Sequence, residues 1–481
     1  MMRPIRAPRL KLVATVITLV LLLGCASIDI DQSIARTNQD AAAFTNGKLN
    51  LTKTSAQREA LAATAAELLK QPLGQGDAVQ LALVNSPALQ ALLAEHWASA
   101  ANAAQSARIA NPVFALTRVR LGLELDIERA LTFGLLDLLT LPQRHGIALQ
   151  RIEQAQLRQT GDVIDQVTRV RQAWVKAVAA QQSAAYARQV FDSADASAEL
   201  ARRMQAAGNF SKLARARQQV FYADAATQLA AAQHAATAAR EELVRLLGLT
   251  DAQAAQLRLP DRLPDLPTVP RDPGEVSQAA SAGRLDVRIA QSTFAAAAKA
   301  QGLNVLTSLT DIELGIRRDT KFDDGAGTKT PGRGFEVSVR LPIFDWGGMQ
   351  RDAMDAQTLA AGNRLEATVR AAGSNLREGY SAYRTSYDIA KHYRDEVLPL
   401  RRSIAEENVL RYNGMLIGVF ELLADSRDQV GSVIAAIAAE QQFWLADAAL
   451  RASIMGRPTM AATGAMAAMA TIASGGGDAP H

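Results

Sequence analysis

The chain has 481 residues, 48% hydrophobic but only 5% aromatic, with a formal charge of +4 and a single cysteine. One cysteine excludes an internal disulfide and any thiolate metal cluster, and the scattered histidines His96, His145, His234, His392 and His481 form no HxxxH or HxH ligand pair. Much of the apolar content is alanine, which favours helix but buries little surface, so long and closely packed helices fit better than a large globular core.

At the start, Arg3, Arg6, Arg9 and Lys11 precede the aliphatic run Leu12–Leu23, and no acid occurs before Asp29. A basic region, a short apolar stretch and a small residue, Gly24, predict a secretory signal peptide over residues 1–24. The run is too short for a membrane helix, which needs about 20 apolar residues. Without those four bases, 48 basic residues face 48 acids. The apparent basicity therefore belongs to the leader, and no basic stripe remains that would suit nucleic acid. Leu22-Leu23-Gly24-Cys25 resembles the bacterial lipobox, which implies cleavage before Cys25 and lipid attachment to it. Ala26 after the cysteine, in place of an aspartate, then implies sorting to the outer membrane. A plain signal peptide with an incidental cysteine is the competing reading.

A polar segment over 25–75 is followed by two blocks of the same order: helix, strand pair, very long helix, glycine break, shorter helix. The first covers 76–248, with strands near 113–136, a long helix over 146–207 and a helix over 209–248. In it Val113, Ala115, Thr117, Val119, Leu121, Leu123, Leu125 and Ile127 read as one face of a continuous alternation, with Ala130–Leu135 returning beside it. Gly146 to Ala207 contains no proline, and 62 residues at 1.5 Å each would give a rod of roughly 93 Å. Val163, Val167, Val170, Trp174 and Ala177 step by four and three, as in a coiled-coil seam.

Residues 249–274 form a linker containing Pro260, Pro264, Pro267, Pro270 and Pro273, too dense in proline for a helix or a central strand. The second block spans 275–456, with strands near 311–341, a long helix over 348–413 and a helix over 415–455. Ile312, Leu314 and Ile316 alternate with Glu313, Gly315 and Arg317, and Phe335, Val337 and Val339 alternate with Glu336 and Ser338. Asp323–Gly334 reads as a turn-rich loop between them. Leu376, Tyr380, Tyr383, Tyr387 and Ala390 repeat the seam, and Pro399 is expected to kink the second long helix. Leu141-Pro142 recurs as Leu341-Pro342, and the glycine break Gly208 recurs as Gly414, which points to an internal duplication. The tail 457–481, rich in Ala, Gly and Met, carries no amphipathic period and reads as disordered. Its methionines, such as Met460 and Met466, could ligate Cu(I), but an incidental set in a flexible tail is the simpler reading.

Alternating strands of about ten residues, apolar on one face and charged on the other, are the pattern of membrane barrels. Four strands cannot close one, since the smallest known have about 8, and an open edge in lipid is not viable. Several chains would have to complete the barrel. A soluble helical bundle explains the seams but leaves the strands unexplained. There is no G-x-S-x-G elbow and no H-E-x-x-H, and Asp324–Thr330 lacks the ending of a phosphate loop, so no enzyme chemistry and no cofactor is expected.

Three motifs in order resemble the TolC-type outer-membrane factors, the outer-membrane efflux lipoprotein family. They are Asp77-Ala-Val79-Gln-Leu81 through Asn85-Ser-Pro87, then Leu341-Pro-Ile-Phe344-Asp345-Trp346-Gly347, then Arg411-Tyr412-Asn413-Gly414-Met415 with Phe420-Glu-Leu-Leu423-Ala-Asp425. The resemblance covers roughly 74–456. It implies a mainly helical protomer with four transmembrane strands, assembling as a homotrimer into an α/β-barrel duct in the outer membrane with its helices in the periplasm. The linker and residues 26–75 would form a belt around the helices. It further implies a periplasmic adaptor and an inner-membrane transporter as partners. Gly208, Asn209, Phe210 and Ser211 at one hairpin tip, and Gly414, Met415, Leu416 and Ile417 at the other, would meet the adaptor. Both glycines would take the left-handed conformation of a reversing chain. Met415 stands where the family pattern expects a glycine, so adaptor specificity does not carry over. Glu421 and Asp425, four apart and on one helix face, would form an acidic periplasmic gate or else a solvated face. Lys212, Arg215 and Arg217 at the first tip could pair with these acids across the hairpin. A duct for type I protein secretion and a structural periplasmic coiled-coil lipoprotein are the alternatives to an efflux duct.

Overall fold

The computed structural model describes residues 28–281, 283–309 and 311–459, so the leader, Cys25 and residues 460–481 of the tail lie outside the described residues. The chain divides into two compact units.

The first unit comprises the described residues up to Ser33, Ala94–Gln159 and Val287–Val369. It holds one antiparallel sheet with strands in chain order, β1 Val113–Leu121, β2 Glu124–Gly134, β3 Ile312–Asp323 and β4 Thr328–Val339. β1 and β4 are therefore its two edges. The alternation expected to run unbroken to Ile127 instead stops at a two-residue turn, Gly122-Leu123, where Gly122 has φ +61°. This turn pairs odd residues of β1 with even residues of β2, Val113 with Thr132 and Leu121 with Glu124. Facing is thus inverted between the two strands, a consequence of the period of two. The turn-rich stretch is also shorter than expected. β3 extends to Asp323, β4 begins at Thr328, and Pro331 lies within it opposite Thr320. An edge strand tolerates a residue without an N–H. Below the sheet Ala104, Ala107 and Ala148 are buried against each other, the close helix approach that small side chains permit.

The second unit comprises Ile34–Leu93, Thr160–Asp286 and the described residues from Arg370 onward. The first long helix runs Leu141–Ala206, starting at Leu141-Pro142 because proline is suited to a first helical turn. Its seam residues Val163, Val167, Val170, Trp174 and Ala177 are all at most 2% exposed. The buried Trp174 Nε1–H donates to the Leu73 carbonyl at 2.7 Å. The second long helix is not continuous: Gly348–His392, a π-helical turn Tyr393–Val397, then Leu398–Asn413. Pro399 cannot donate to Asp395, and the helix widens just before it, with Leu398 N–H bonding back to Tyr393 O. Arg457, read as the first residue of a disordered tail, is held instead: its guanidinium pairs with Asp162 and Asp165.

The proline-rich linker is gripped. A segment dense in proline cannot bond to itself, so its backbone groups need partners from elsewhere. Tyr387 Oη donates to Pro267 O at 3.1 Å and Thr268 O at 3.2 Å, Tyr380 Oη donates to Arg271 O at 3.0 Å, and Trp444 Nε1 donates to Pro264 O at 3.1 Å. Tyr383 Oη accepts from Arg271 N–H at 3.1 Å, and burial pushes its phenol above the ordinary range. The seam tyrosines thus serve two purposes, since their rings also surround Phe443 at 5.5 and 5.7 Å between centroids. Leu263 and Leu266 of the linker are buried as well.

The entry motif has a local physical reason. Asn85 Nδ2 donates to the Leu247 and Gly248 carbonyls at 3.2 and 3.0 Å, satisfying the end of the helix Lys212–Leu247. Gly248, at φ +68°, comes so close that a Cβ there would lie 2.3 Å from Pro87 Cδ.

Candidate functional site

Two regions carry the features expected of a duct, the sheet in the first unit and the helix tips in the second. The strand register sorts the sheet into two unlike faces. One carries Phe114, Leu131, Ile316, Phe335 and Val337, with Arg129, Arg318 and Arg333 aligned in one row across three strands. The other carries Glu124, Asp126, Glu128, Asp319 and Glu336, with Arg317 and Lys321 among them, and on the edge strand β1 the exposed apolar residues Val113, Val119 and Leu121. On that second face acids outnumber bases and each base lies beside an acid: Arg317 lies 2.9 Å from both Glu128 and Asp319, and Lys321 is 4.0 Å from Asp126. The apolar face is not covered by the chain itself, for Phe335 is 83% exposed and Ile316 62%. Directly after β4, Phe344 and Trp346 are also exposed, 98% and 70%. Among the described residues, no helix is long and apolar enough to cross a membrane.

Each tip is built differently. At the first, Gly208 has φ +80° and the Asn209 N–H bonds back to Met204 O, a helix ending that glycine makes easy. Ser211 then caps the next helix, its Oγ accepting from Ala214 N–H at 3.1 Å. At the second tip the expectation of a left-handed Gly414 is overturned. Gly414 sits at φ −78° and Met415 takes the left-handed conformation at φ 58°. The reversal falls one residue later, so the side chain standing where the family pattern has glycine carries the strain.

Met415 and Leu416 project into solvent, 93% and 73% exposed, whereas Ile417 is 8% exposed and offers no docking surface. Phe210 is half-buried because its ring stacks on Phe420 at 4.4 Å, tying the two tips together. Sequence reading missed this contact and a second one, in which Arg427 lies 3.6 Å from the centre of the Phe221 ring and donates to Gln218 at 3.2 Å. Glu421 is exposed and Asp425 half-buried on the helix Val419–Ile454. Among the described residues no ion pair joins them to Lys212, Arg215 or Arg217, and Arg215 donates to Gln205 instead at 2.7 Å. No cluster of His, Cys, Asp or Glu among the described residues could hold a metal ion. Cys25 lies outside the described residues.

Comparison with protein-family models and with curated proteins finds no match. Comparison with solved structures does. A membrane protein from Pseudomonas aeruginosa matches with TM-score 0.64 at 20% identity, covering 83% of this chain and 94% of that one. The CmeC outer membrane channel of Campylobacter jejuni matches with TM-score 0.66 at 12% identity, covering 88% and 92%. The outer membrane protein VceC from Vibrio cholerae matches with TM-score 0.62 at 14% identity, covering 82% and 96%. Over most of their length and at low identity, these structures share their fold with this chain, whose mainly helical architecture with one four-stranded antiparallel sheet is thus the fold of outer membrane channels.

Proposed function

We propose that this chain is one protomer of a trimeric outer-membrane exit duct of a tripartite efflux system. The observation that carries this reading is the sheet. It has one uncovered apolar face, one charged face and two open edges, β1 and β4. An open edge cannot persist in lipid. Three copies joined edge to edge would give twelve strands, within the range of membrane barrels, with the apolar face toward lipid and the charged face toward water. The strands, 9 to 12 residues long, match the length that spans a bilayer when tilted.

In this assembly Cys25 carries the lipid, the helices lie in the periplasm, and the linker with the N-terminal segment forms the belt. The tips face an adaptor through Met415 and Leu416 and the exposed backbone of Gly208 and Asn209. Glu421 and Asp425, repeated threefold, line a periplasmic gate. The chain acts as a passive conduit, and the transporter at the inner membrane supplies the energy.

The test is the variant Cys25→Ala expressed as the full chain. If the barrel forms, the protein stays in the outer-membrane fraction without its lipid and migrates as a heat-labile trimer. A soluble monomer would defeat the reading and favour a structural lipoprotein held only by its acyl chains. Deletion of the gene, followed by sensitivity profiling with metals, detergents and antibiotics, separates efflux from protein secretion, because a secretion duct leaves that profile unchanged.

A further inference from the structure

The internal duplication is metrically regular. The long helix Leu141–Ala206 recurs as Gly348–Asn413, interrupted by its π-helical turn, and Lys212–Leu247 recurs as Val419–Ile454. Every boundary moves by the same 207 residues, from 141 to 348 and from 247 to 454. By that measure Leu341 corresponds to Gly134, not to the Leu141 it resembles in sequence. β1 and β3 begin at Val113 and Ile312, an offset of 199, so Phe114 corresponds to Glu313.

Within the chain, Gly134 at the helix end of β2 pairs with Glu313 of β3. Continued by the same repeat into a second copy, the pattern sets Leu341 opposite Phe114 of that copy. The ladder between β4 and the neighbouring β1 then runs Leu341 with Phe114, Val339 with Leu116, Ser338 with Thr117, Val337 with Arg118 and Phe335 with Arg120. Phe114, Leu116, Val339 and Leu341, all exposed in the protomer, cover one another.

Charge selects the same register. A slip of one residue would set the apolar face of one copy against the charged face of the next, so only even slips are allowed. With the hairpin turns level, Leu121 meets Thr328 and Arg120 stands opposite Lys329. A stagger of two residues toward the helices opposes Arg118 to Arg333, and a stagger of four opposes Arg120 to Arg333. Like charges directly opposite each other are destabilising. Six residues, with Leu121 opposite Gly334, is the smallest stagger in this direction that opposes no two bases.

Backbone and barrel geometry agree with it. Arg340 N–H donates to Asp311 O at 2.9 Å, so ladder alternation turns the odd residues of β4, Pro331 included, toward the open edge. Pro331 has no N–H to offer a neighbour, and in this register it lies past the end of β1, where no bond is required. Inside the protomer the turns are level, since Leu121 pairs with Glu124, Glu124 with Asp323 and Asp323 with Thr328. A closed barrel needs tilted strands, so the whole stagger falls on the seams between copies. Six residues at each of three seams would tilt twelve strands by roughly 45°, taking about 3.3 Å per residue and about 4.8 Å between strands, at the steep end of the usual range of about 35–45°.

We propose that β4 joins β1 of a second copy in this staggered register, with Leu341 opposite Phe114 and Ser338 opposite Thr117. The assignment rests on the trimeric barrel proposed above and adds which residues meet at its seams.

The full chain carries Ser338→Cys together with one of Ala115→Cys, Thr117→Cys or Val119→Cys, and is oxidised in the outer membrane with copper–phenanthroline. Ser338 and Thr117 form a non-hydrogen-bonded pair, with Cα atoms about 4.5 Å apart and within disulfide reach. The diagonal partners lie about 7–8 Å away, beyond it. The expected result is a covalent trimer that survives heating and is lost on reduction, forming at least ten-fold faster with Thr117→Cys than with either neighbour. Each single-cysteine variant stays uncross-linked, which excludes Cys25. Should the Ser338 series not assemble, Val339→Cys with Leu116→Cys, set against Val339→Cys with Arg118→Cys, decides on the other face. Faster cross-linking through Ala115 or Val119, or none through any pair in a protein that still migrates as a heat-labile trimer, overturns the register and leaves the barrel standing. A wild type that forms no trimer counts against the barrel itself.

Discussion

Replacing Tyr387 by phenylalanine removes one oxygen and leaves the ring, so it isolates the hold of the second long helix on the linker. Tyr387 is 2% exposed, and its hydroxyl faces two linker carbonyls, Pro267 O and Thr268 O, at 3.1 and 3.2 Å. The variant leaves ring packing on Phe443 intact, so no cavity term enters. What is lost is one hydrogen bond, and the carbonyls it served remain partly buried. A net bond contributes about 1 kcal/mol and an unsatisfied buried acceptor costs about 1–3 kcal/mol, so a loss of about 1–2 kcal/mol is expected. That is roughly a 5- to 30-fold increase in the opening equilibrium of the linker. Hydrogen exchange followed by mass spectrometry over 263–272 reads it directly, with proteolysis after Arg262 or Arg271 as a second probe. Tyr380 and Tyr383 hold the carbonyl and the N–H of the same residue, Arg271. Their phenylalanine variants should therefore combine to less than the sum of the two, whereas Tyr387 holds separate carbonyls and should add more nearly independently. Unchanged exchange over the linker in Tyr387→Phe would refute the view that these tyrosines secure it. So would an equal rise over the remote helix Lys212–Leu247.

Two further outcomes follow from single residues. Met415 holds a left-handed backbone at φ 58° while 93% exposed. Met415→Gly should relieve about 1–2 kcal/mol of backbone strain, partly offset by the greater freedom of glycine in the unfolded chain, so thermal stability rises modestly. A fall in stability would show that the methionine side chain contributes packing its exposure does not reveal. Glu440 is raised above its ordinary value of 4.5, first by burial and then by Asp265. A carboxyl that is easier to protonate in the fold contributes stability below pH 4.5 and loses it as pH rises through its raised value. Glu440→Gln should therefore increase the melting temperature at pH 7 and have little effect at pH 4. A gain of the same size at both values would refute the assignment to ionisation.

Much of the architecture is written locally. The alanine-rich seams, the alternation of Ile312–Ile316 and Phe335–Val339 and the glycine at the first tip are all features of neighbouring residues, and each of these elements formed as its local pattern required. The seam positions Val163 to Ala177 became the buried stripe because their spacing matches the helix period whatever packs on them. What the sequence could not decide was pairing. A two-residue turn at Gly122-Leu123 lacks the usual Asn-Gly signal, and missing it inverted the facing of β2 relative to β1. The row of Arg129, Arg318 and Arg333 exists only once register joins positions nearly two hundred residues apart. The same holds for the tyrosines, legible as a helix stripe but not as the donors that satisfy a proline-rich segment, and for Met415, whose backbone conformation depends on where the reversing helix runs out of hydrogen bonds. Composition and periodicity determined a helical protomer with a few membrane-suited strands. Only the tertiary structure decided which side chains share a face, because that depends on strand register and chain reversal, and one residue of slip changes both.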